Sequence, residues 1–268
     1  MSQRYRVAAV QMVSGPDVGE NLREAERLIA EAAAGGAQLV VLPEYFALIS
    51  PDEQAKFAVC EAEGDGPMQR FLADTARRYK VWLVGGTIPL RAQSHDKVRN
   101  AVLVFDDAGQ RVARYDKLHL FGFRKGNEAY DESRTIEAGA EIVTFDAPFG
   151  RVGLAVCYDL RFPELFRAMG DLALIVLPAA FTETTGRAHW EVLLRARAVE
   201  NLCYVLASAQ GGEHPGGRRT WGESMLIDPW GAVLQHLPRG AGVVIGEIDP
   251  EHQRSLRESL PALQHRRL

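Results

Sequence analysis

Three residues carry side chains suited to breaking an acyl bond, and all three occupy the same kind of position. Cys157 directly follows the apolar run 151–156 and precedes Tyr158, Asp159, Leu160, Arg161, Phe162 and Pro163. Glu44 directly follows Leu39, Val40, Val41, Leu42 and Pro43. Lys117 stands just past the run 111–115 and is one of only five lysines among 31 basic residues. A thiol becomes a nucleophile when a partly desolvated carboxylate can take its proton, and an ammonium nearby stabilises both thiolate and developing oxyanion. In open α/β sheets the carboxyl ends of strands line the ligand crevice, and N–H groups at a strand-to-helix turn offer an oxyanion site. Singly, each residue has a plainer reading: a core cysteine, a surface glutamate, a surface lysine. Together, just beyond three strand ends, they can converge on one rim and perform covalent acyl transfer.

Other chemistries lack their residues. No Cys-x-x-Cys, His-Glu-x-x-His or His-x-His occurs and the seven histidines are scattered, so no metal is expected. Phosphate-binding glycine loops and the Gly-x-Ser-x-Gly elbow are also missing, so the protein is expected to need no cofactor. Of the other cysteines, Cys60 lies in Phe57, Ala58, Val59 and Cys203 in an apolar strand, where a thiol acts as a small hydrophobe. His119 and His189 keep open a Cys–His hydrolase. Tyr45, Phe46, Phe121 and Phe181 flank these positions and either wall a pocket or fill core. Arg161 either meets a substrate carboxylate or pairs with Glu164 one helical turn on.

The elements that must place these residues follow from patterning. The chain has 268 residues, 47% hydrophobic and 25% charged, with 31 basic against 35 acidic side chains and a formal net charge of −4. That composition describes a globular protein and argues against a nucleic-acid partner, which would demand a basic surface. Three cysteines cannot form a disulfide framework and fit a reducing compartment. The apolar run 172–181 is broken by Pro178 and is half the ~20 residues of a membrane span, so no membrane association and a cytoplasmic location are expected.

Short β-branched runs at 5–11, 38–42, 81–88, 100–105, 111–115, 142–145, 151–156, 173–177, 203–209, 224–227, 233–235 and 242–248 read as strands. Helical spacing covers 22–34, 67–78, 163–169 and 188–201, with Asn21 as a cap and Gly35-Gly36 as a stop for the first. Three elements recur in the same order in both halves: Val7–Gln11 with Val152–Val156, Leu39–Pro43 with Leu174–Pro178, and Phe105–Gly109 with Ile227–Gly231. Two similar halves would give two facing mixed sheets flanked by helices, a four-layer αββα sandwich in a single α/β domain over 1–268. Common Leu-Pro ends and Asp-x-x-Gly turns explain the echo equally well. The loop 211–217 reads as a flexible site rim, and the tail, about 250–268, as either a solvated segment or a dimer contact.

With Glu44, Lys117 and Cys157 read together, the chain resembles the nitrilase, or carbon–nitrogen hydrolase, superfamily, whose catalytic set is Glu, Lys and Cys in that order. The resemblance spans nearly the whole length. It rests on Leu42-Pro43-Glu44, the run 115–121 around Lys117, Tyr130 to Ser133 around Glu132, and Cys157 to Glu164; 185–191, 195–201 and 228–231 add branch-level likeness. It implies the αββα fold, Cys157 as nucleophile, Glu44 as general base, Lys117 facing the tetrahedral intermediate with the Tyr158 N–H, and Glu132 holding lysine and substrate. Nitrile-cleaving members typically carry Trp-Glu after the cysteine, whereas this chain has Tyr158-Asp159. The segment is similar to the Nit branch of ω-amidases and deaminated-glutathione amidases. The likeness therefore implies an amidase acting on a small 2-oxo acid amide through a thioester and releasing ammonia, in a homodimer or larger homo-oligomer. An N-carbamoyl amino acid amidohydrolase and a catalytically silent scaffold are the alternatives. One departure is Gly122, where relatives often carry Asp beside Phe121.

Overall fold

The computed structural model describes residues 3–126 and 128–267. The chain opens with Tyr5–Gln11 (β1), Val18–Ala34 (α1) and Leu39–Val41 (β2), then Ala55–Ala58 (α2) and Pro67–Tyr79 (α3). Trp82–Val84 (β3), Ile88–Arg91 (β4), Val98–Phe105 (β5) and Arg111–Asp116 (β6) complete the first half, and Gly122–Lys125 (β7) and Glu128–Asp131 (β8) form a hairpin after it. The second half runs through Thr144–Ala147 (β9), Gly150–Leu154 (β10), Pro163–Ala168 (α4), Leu174–Ala179 (β11), Glu183–Asn201 (α5) and Tyr204–Ala209 (β12). Ser224–Ile227 (β13), Val233–Leu237 (β14), Gly242–Ile248 (β15) and Pro250–Ser259 (α6) follow.

Two mixed sheets result, built on one plan. In the first, β1, β2 and β3 run parallel, β15 lies antiparallel to β1, and β5 pairs antiparallel with β3, β4 and β6. In the second, β10, β11 and β12 run parallel, β9 lies antiparallel to β10, and β13 and β14 continue antiparallel from β12. The likeness extends to detail. The β5–β6 and β13–β14 hairpins each shift register at the corresponding place, Val104/Phe105 and Leu226/Ile227. In each turn one Asp oxygen accepts two backbone N–H groups, Asp106 from Ala108 and Gln110, Asp228 from Trp230 and Ala232. The internal echo in the sequence is a repeated β-unit.

Burial on both faces explains the continuous apolar strands. Val7, Ala9, Leu39 and Val41 belong to the core between the sheets, where β1 and β2 meet β12 and β13. Their neighbours Ala8, Val10, Val40 and Leu42 pack instead with Leu28 and Ile29 of α1 and Leu72 of α3. Trp190, Leu194 and Ala198 of α5 cover the outer face of the second sheet. This is the αββα sandwich. Among the described residues no helix is long and apolar enough to cross a membrane.

Several local expectations change. The run 81–88 is not one strand: Gly86 takes φ 54 and separates β3 from β4, which address different stretches of β5. Pro178 lies inside β11 beside Ser208 of β12, beyond the last residue paired with β10, so its missing N–H costs no ladder bond on that edge. Asp17, not Asn21, caps α1 through the Glu20 N–H; Asn21 instead ties Gly15 to Ala47 by its side chain. Thr182 caps α5, which starts at Glu183, five residues before the predicted 188. The hairpin β7–β8 and helix α6 carried too little periodicity to be read. Helix α6 docks on its own chain, Gln253 and Arg257 both donating to the carbonyls of Leu172 and Leu202.

A methyl group at Gly86 would overlap the Pro43 carbonyl oxygen, one residue before Glu44, besides being strained at that φ. Gly86→Ala should cost about 2–4 kcal/mol in denaturant unfolding. Gly15→Ala, where a methyl meets nothing within 4 Å, should leave the unfolding midpoint within a few tenths of a molar unit of wild type; equal midpoints for both variants would contradict this account.

Candidate active site

Four elements deliver one cluster of polar groups. Glu44, three residues past β2, is 1% exposed; its Oε1 accepts from Asn100 Nδ2 at 2.9 Å and Lys117 Nζ at 2.8 Å, and its Oε2 from the Ala180 N–H at 3.0 Å. Lys117, directly after β6, is fully buried, and its ammonium also donates to both oxygens of Glu132 at 3.0 and 2.8 Å. Glu132 begins the turn after β8, where it further accepts from Tyr45 Oη at 2.7 Å and the Phe121 N–H at 2.8 Å. Cys157 follows β10 and lines one pocket with Glu44. Both Cys157 and Tyr45 hold left-handed backbone, φ 50 and 57, conformations that persist in non-glycine residues only where surroundings enforce them.

What enforces the Cys157 turn is Asp159, which sequence reasoning missed. Its Oδ2 accepts from the Val156 N–H at 2.8 Å and from Tyr115 Oη at 2.7 Å. Its Oδ1 accepts from the His119 N–H at 3.0 Å and lies 2.7 Å from His119 Nδ1. One buried carboxylate thus fastens the thiol's turn to the residues on either side of Lys117. Behind Glu44, Gln210 Nε2 donates to the Glu44 carbonyl at 3.2 Å and to Ser14 Oγ at 2.8 Å. The available signal for these residues was polarity inside apolar strands, at Asn100 and Tyr115.

The electrostatics separate the two carboxylates. Burial, followed by attraction to Lys117 and repulsion from Glu132, leaves the Glu44 carboxyl above the ordinary carboxylate range. Burial acts on Glu132 likewise, yet Lys117 and the hydrogen bonds from Phe121 and Tyr45 outweigh it and hold Glu132 below that range. Burial disfavours the Lys117 charge, but Glu132 and Glu44 more than restore it and keep the ammonium protonated. Burial first, then Glu44, pushes the Cys157 thiol well up, so it rests neutral. The resting site is a neutral thiol beside a carboxylate poised to take its proton.

Cys157 opens into a narrow pocket with Glu44, Glu132, Phe121, Tyr158, Arg161 and Phe181 on its walls. Phe46 does not reach it: the ring is fully buried between sheet and helix and stacks on Phe71, because it points to the opposite face from Tyr45. Tyr45 lines a neighbouring cavity and meets the site through Glu132. Arg161 does not pair with Glu164; it lies over the Tyr158 and Phe181 rings with Nη1 3.2 Å from His189 Nδ1. Neither His119 nor His189 lines the Cys157 pocket. Loop 211–217 packs at the site's edge, with His214 buried against the Ser14 carbonyl and Thr220. Cys203 is buried and its thiol pushed up to about 12, whereas Cys60 is half-buried. Among the described residues no cluster of His, Cys, Asp or Glu is arranged to hold a metal ion.

Residues 6–258 match the carbon–nitrogen hydrolase family. The chain belongs to that family. As a carbon–nitrogen hydrolase it is a hydrolase of carbon–nitrogen bonds other than peptide bonds, and it falls in the Nit branch of the nitrilase superfamily. It is 41% identical to a deaminated glutathione amidase of Yersinia enterocolitica, over 97% of this chain and 92% of that one. Saccharomyces cerevisiae Nit3, of branch 10 of the nitrilase superfamily, superposes with a TM-score of 0.88 at 32% identity, covering 100% of this chain and 98% of that one. Caenorhabditis elegans NitFhit gives 0.88 at 37% identity, covering 99% of this chain and 66% of that longer one.

Replacing Lys117 by Met would leave Glu44 and Glu132 buried without their cation, at a cost of about 3–5 kcal/mol at neutral pH. Both folded-state carboxyl pKa values would then rise above their unfolded values. Such groups favour folding below the unfolded pKa and lose that contribution as pH rises through the folded one. The Lys117→Met protein should therefore recover stability relative to wild type as pH falls from 8 to 5, measured by urea unfolding; a pH-independent deficit would contradict the charge assignment.

Proposed function

We propose that this carbon–nitrogen hydrolase is a cysteine amidase acting on deaminated glutathione, with 2-oxoglutaramate as the simpler amide of the same acyl group. The observation that carries the reading is the buried Glu44–Lys117–Glu132 cluster, whose two carboxylates line one pocket with Cys157. The names of the relatives support the substrate class.

Cys157 Sγ attacks the amide carbonyl while its proton passes to Glu44, and the oxyanion forms against Lys117 and the Tyr158 N–H. Glu44 returns the proton to the departing nitrogen, the C–N bond breaks, and a thioester remains on Cys157. Water then loses a proton to Glu44 and attacks the thioester; collapse releases the carboxylic acid and restores the thiol. With deaminated glutathione the nitrogen leaves on cysteinylglycine, and with the primary amide it leaves as ammonia. Glu132 keeps Lys117 aimed and charged. Arg161, which lines the Cys157 pocket beside Tyr158 and Phe181, meets the carboxylate of the 2-oxo acyl group. The N-carbamoyl and scaffold alternatives have no observation in their favour.

Mass spectrometry of protein quenched during turnover should show a 2-oxoglutaryl adduct on Cys157, absent in Cys157→Ala. Glu44→Gln should lower kcat by at least ~10²-fold, and substitution of His119 or His189 should not match that loss. Because Glu44 must be ionised to act, activity is lost as pH falls, and the acid limb of kcat/KM should lie above the ordinary 4.5. A limb at or below that value would remove Glu44 as base.

The reading extends to a cytoplasmic homodimer of one-domain subunits. Val192 and Val199, seven residues apart on α5, are 63% and 47% exposed and lie beside Trp230, at 61%, whose turn Arg195 holds through the Gly231 carbonyl. Such an apolar face suits an isologous contact. Sedimentation should give a dimer for the native protein and a monomer for Val192→Glu; a monomeric native protein would overturn this.

A further inference from the structure

Beside the Cys157 pocket lies a larger cavity of about 120 Å³, and the two share Phe121, Glu132 and Arg218 as their common border. Of the larger cavity's lining, the site described above uses Tyr45, Asn100, Phe121 and Glu132.

Arg218, one residue beyond the glycine-rich loop, stands at the junction. Its guanidinium lies 5.7 Å from the Tyr45 ring centroid and 5.9 Å from that of Tyr130. It forms no ion pair among the described residues, and its Nε is the only buried side-chain polar atom among them without a hydrogen-bond partner. An arginine stacked between two rings with an unused donor is a built receptor for an oxyanion. Lys56 enters the same cavity, donating to Thr135 Oγ1 at 2.8 Å. Burial disfavours its charge, Glu53 and Glu132 restore part of it, and Arg218 adds a smaller repulsion, so an anion between the two cations would favour both.

The carboxylates and the third cation around this cavity are already engaged. Glu132 holds Lys117, Asp131 accepts from the Ser133 N–H and hydroxyl, and Asp52 accepts from the Gln54 N–H. Arg99 pairs with Glu137 and Asp116. Glu53, at the rim, is exposed and tempers the field rather than occupying Arg218.

We infer that this second cavity is a leaving-group subsite in which Arg218, assisted by Lys56, binds a carboxylate on the amine side of the scissile amide. The inference rests on the amidase reading and deepens it. Two arginines without a carboxylate partner among the described residues flank the site, Arg161 in the Cys157 pocket and Arg218 at the border of the two cavities, an arrangement suited to an amide flanked by two carboxylates. Arg218 is thus a specificity residue that favours peptide-like leaving groups over ammonia.

The test compares deaminated glutathione with its C-terminal glycinamide, which differs only in that carboxylate. Native enzyme should show a KM lower by roughly tenfold or more for the acid, the worth of a charged hydrogen bond, and in Arg218→Gln that ratio should collapse toward one. Equal KM values in the native enzyme, or a ratio preserved in Arg218→Gln, would overturn the inference. Thermal stabilisation by cysteinylglycine but not by cysteinylglycinamide reads the same subsite without turnover, and equal shifts from both would also overturn it. If deaminated glutathione were not cleaved at all, the functional reading would fail while the thermal comparison still decided the subsite.

Discussion

A fully buried ammonium held between two carboxylates is the constraint around which this molecule is arranged. Lys117 is withdrawn from water entirely, and a charge in that position survives only if its surroundings replace hydration group by group. Glu44 and Glu132 do so, and each is in turn supplied with donors: Asn100 and Ala180 for one, Tyr45 and Phe121 for the other. The asymmetry of that supply sets the chemistry. Glu132 shares both oxygens with Lys117 and stays charged, whereas Glu44 shares one and keeps its second toward Ala180 and the thiol, so its proton affinity is the one left high.

Satisfying such a cluster requires precise backbone, and the repeated sheet supplies it. The β2 end carries Glu44 and the corresponding β11 end carries the Ala180 N–H that binds it, so the two Leu-Pro strand ends, one from each half, meet across the sandwich. Asp159 performs the matching task for the thiol, tying the turn after β10 to the end of β6. Strain at Cys157 is held by Asp159, itself anchored to Tyr115 and His119 of the first half, and strain at Tyr45 by the Thr87 hydroxyl that accepts its N–H and by Glu132.

Much of this was legible because strand burial on two faces leaves long apolar runs, and the first polar residue after such a run stands out. Glu44 and Cys157 were visible for that reason, Lys117 because lysine is scarce in this chain, and the repeat because Asp106 and Asp228 close identical turns. Asp159, Asn100 and Gln210 were not, since their importance lies in partners more than forty residues away. Phe46 shows the converse error: adjacency to a motif residue says nothing about which face a side chain takes when the chain turns at Tyr45. Helix α6 was hidden because only Gln253 is buried on it, through hydrogen bonds and not through an apolar stripe. Arg218 carried no motif at all, only a place after glycines.

The division of the cluster between two sheets has a further meaning. Every hydrogen bond within a single sheet could remain while the sheets slid or parted, as happens in compact states that keep secondary structure and lose side-chain packing. In such a state Glu44 and Cys157 would each still sit at a strand end, but no longer opposite one another. The thiol would then face water without the carboxylate beside it, while Glu44 and Lys117, both at strand ends of the first sheet, would stay on one side of the break. Reactivity at Cys157 is therefore a property of the interface between the halves, and it reports tertiary registration that no probe of helix or strand content can register.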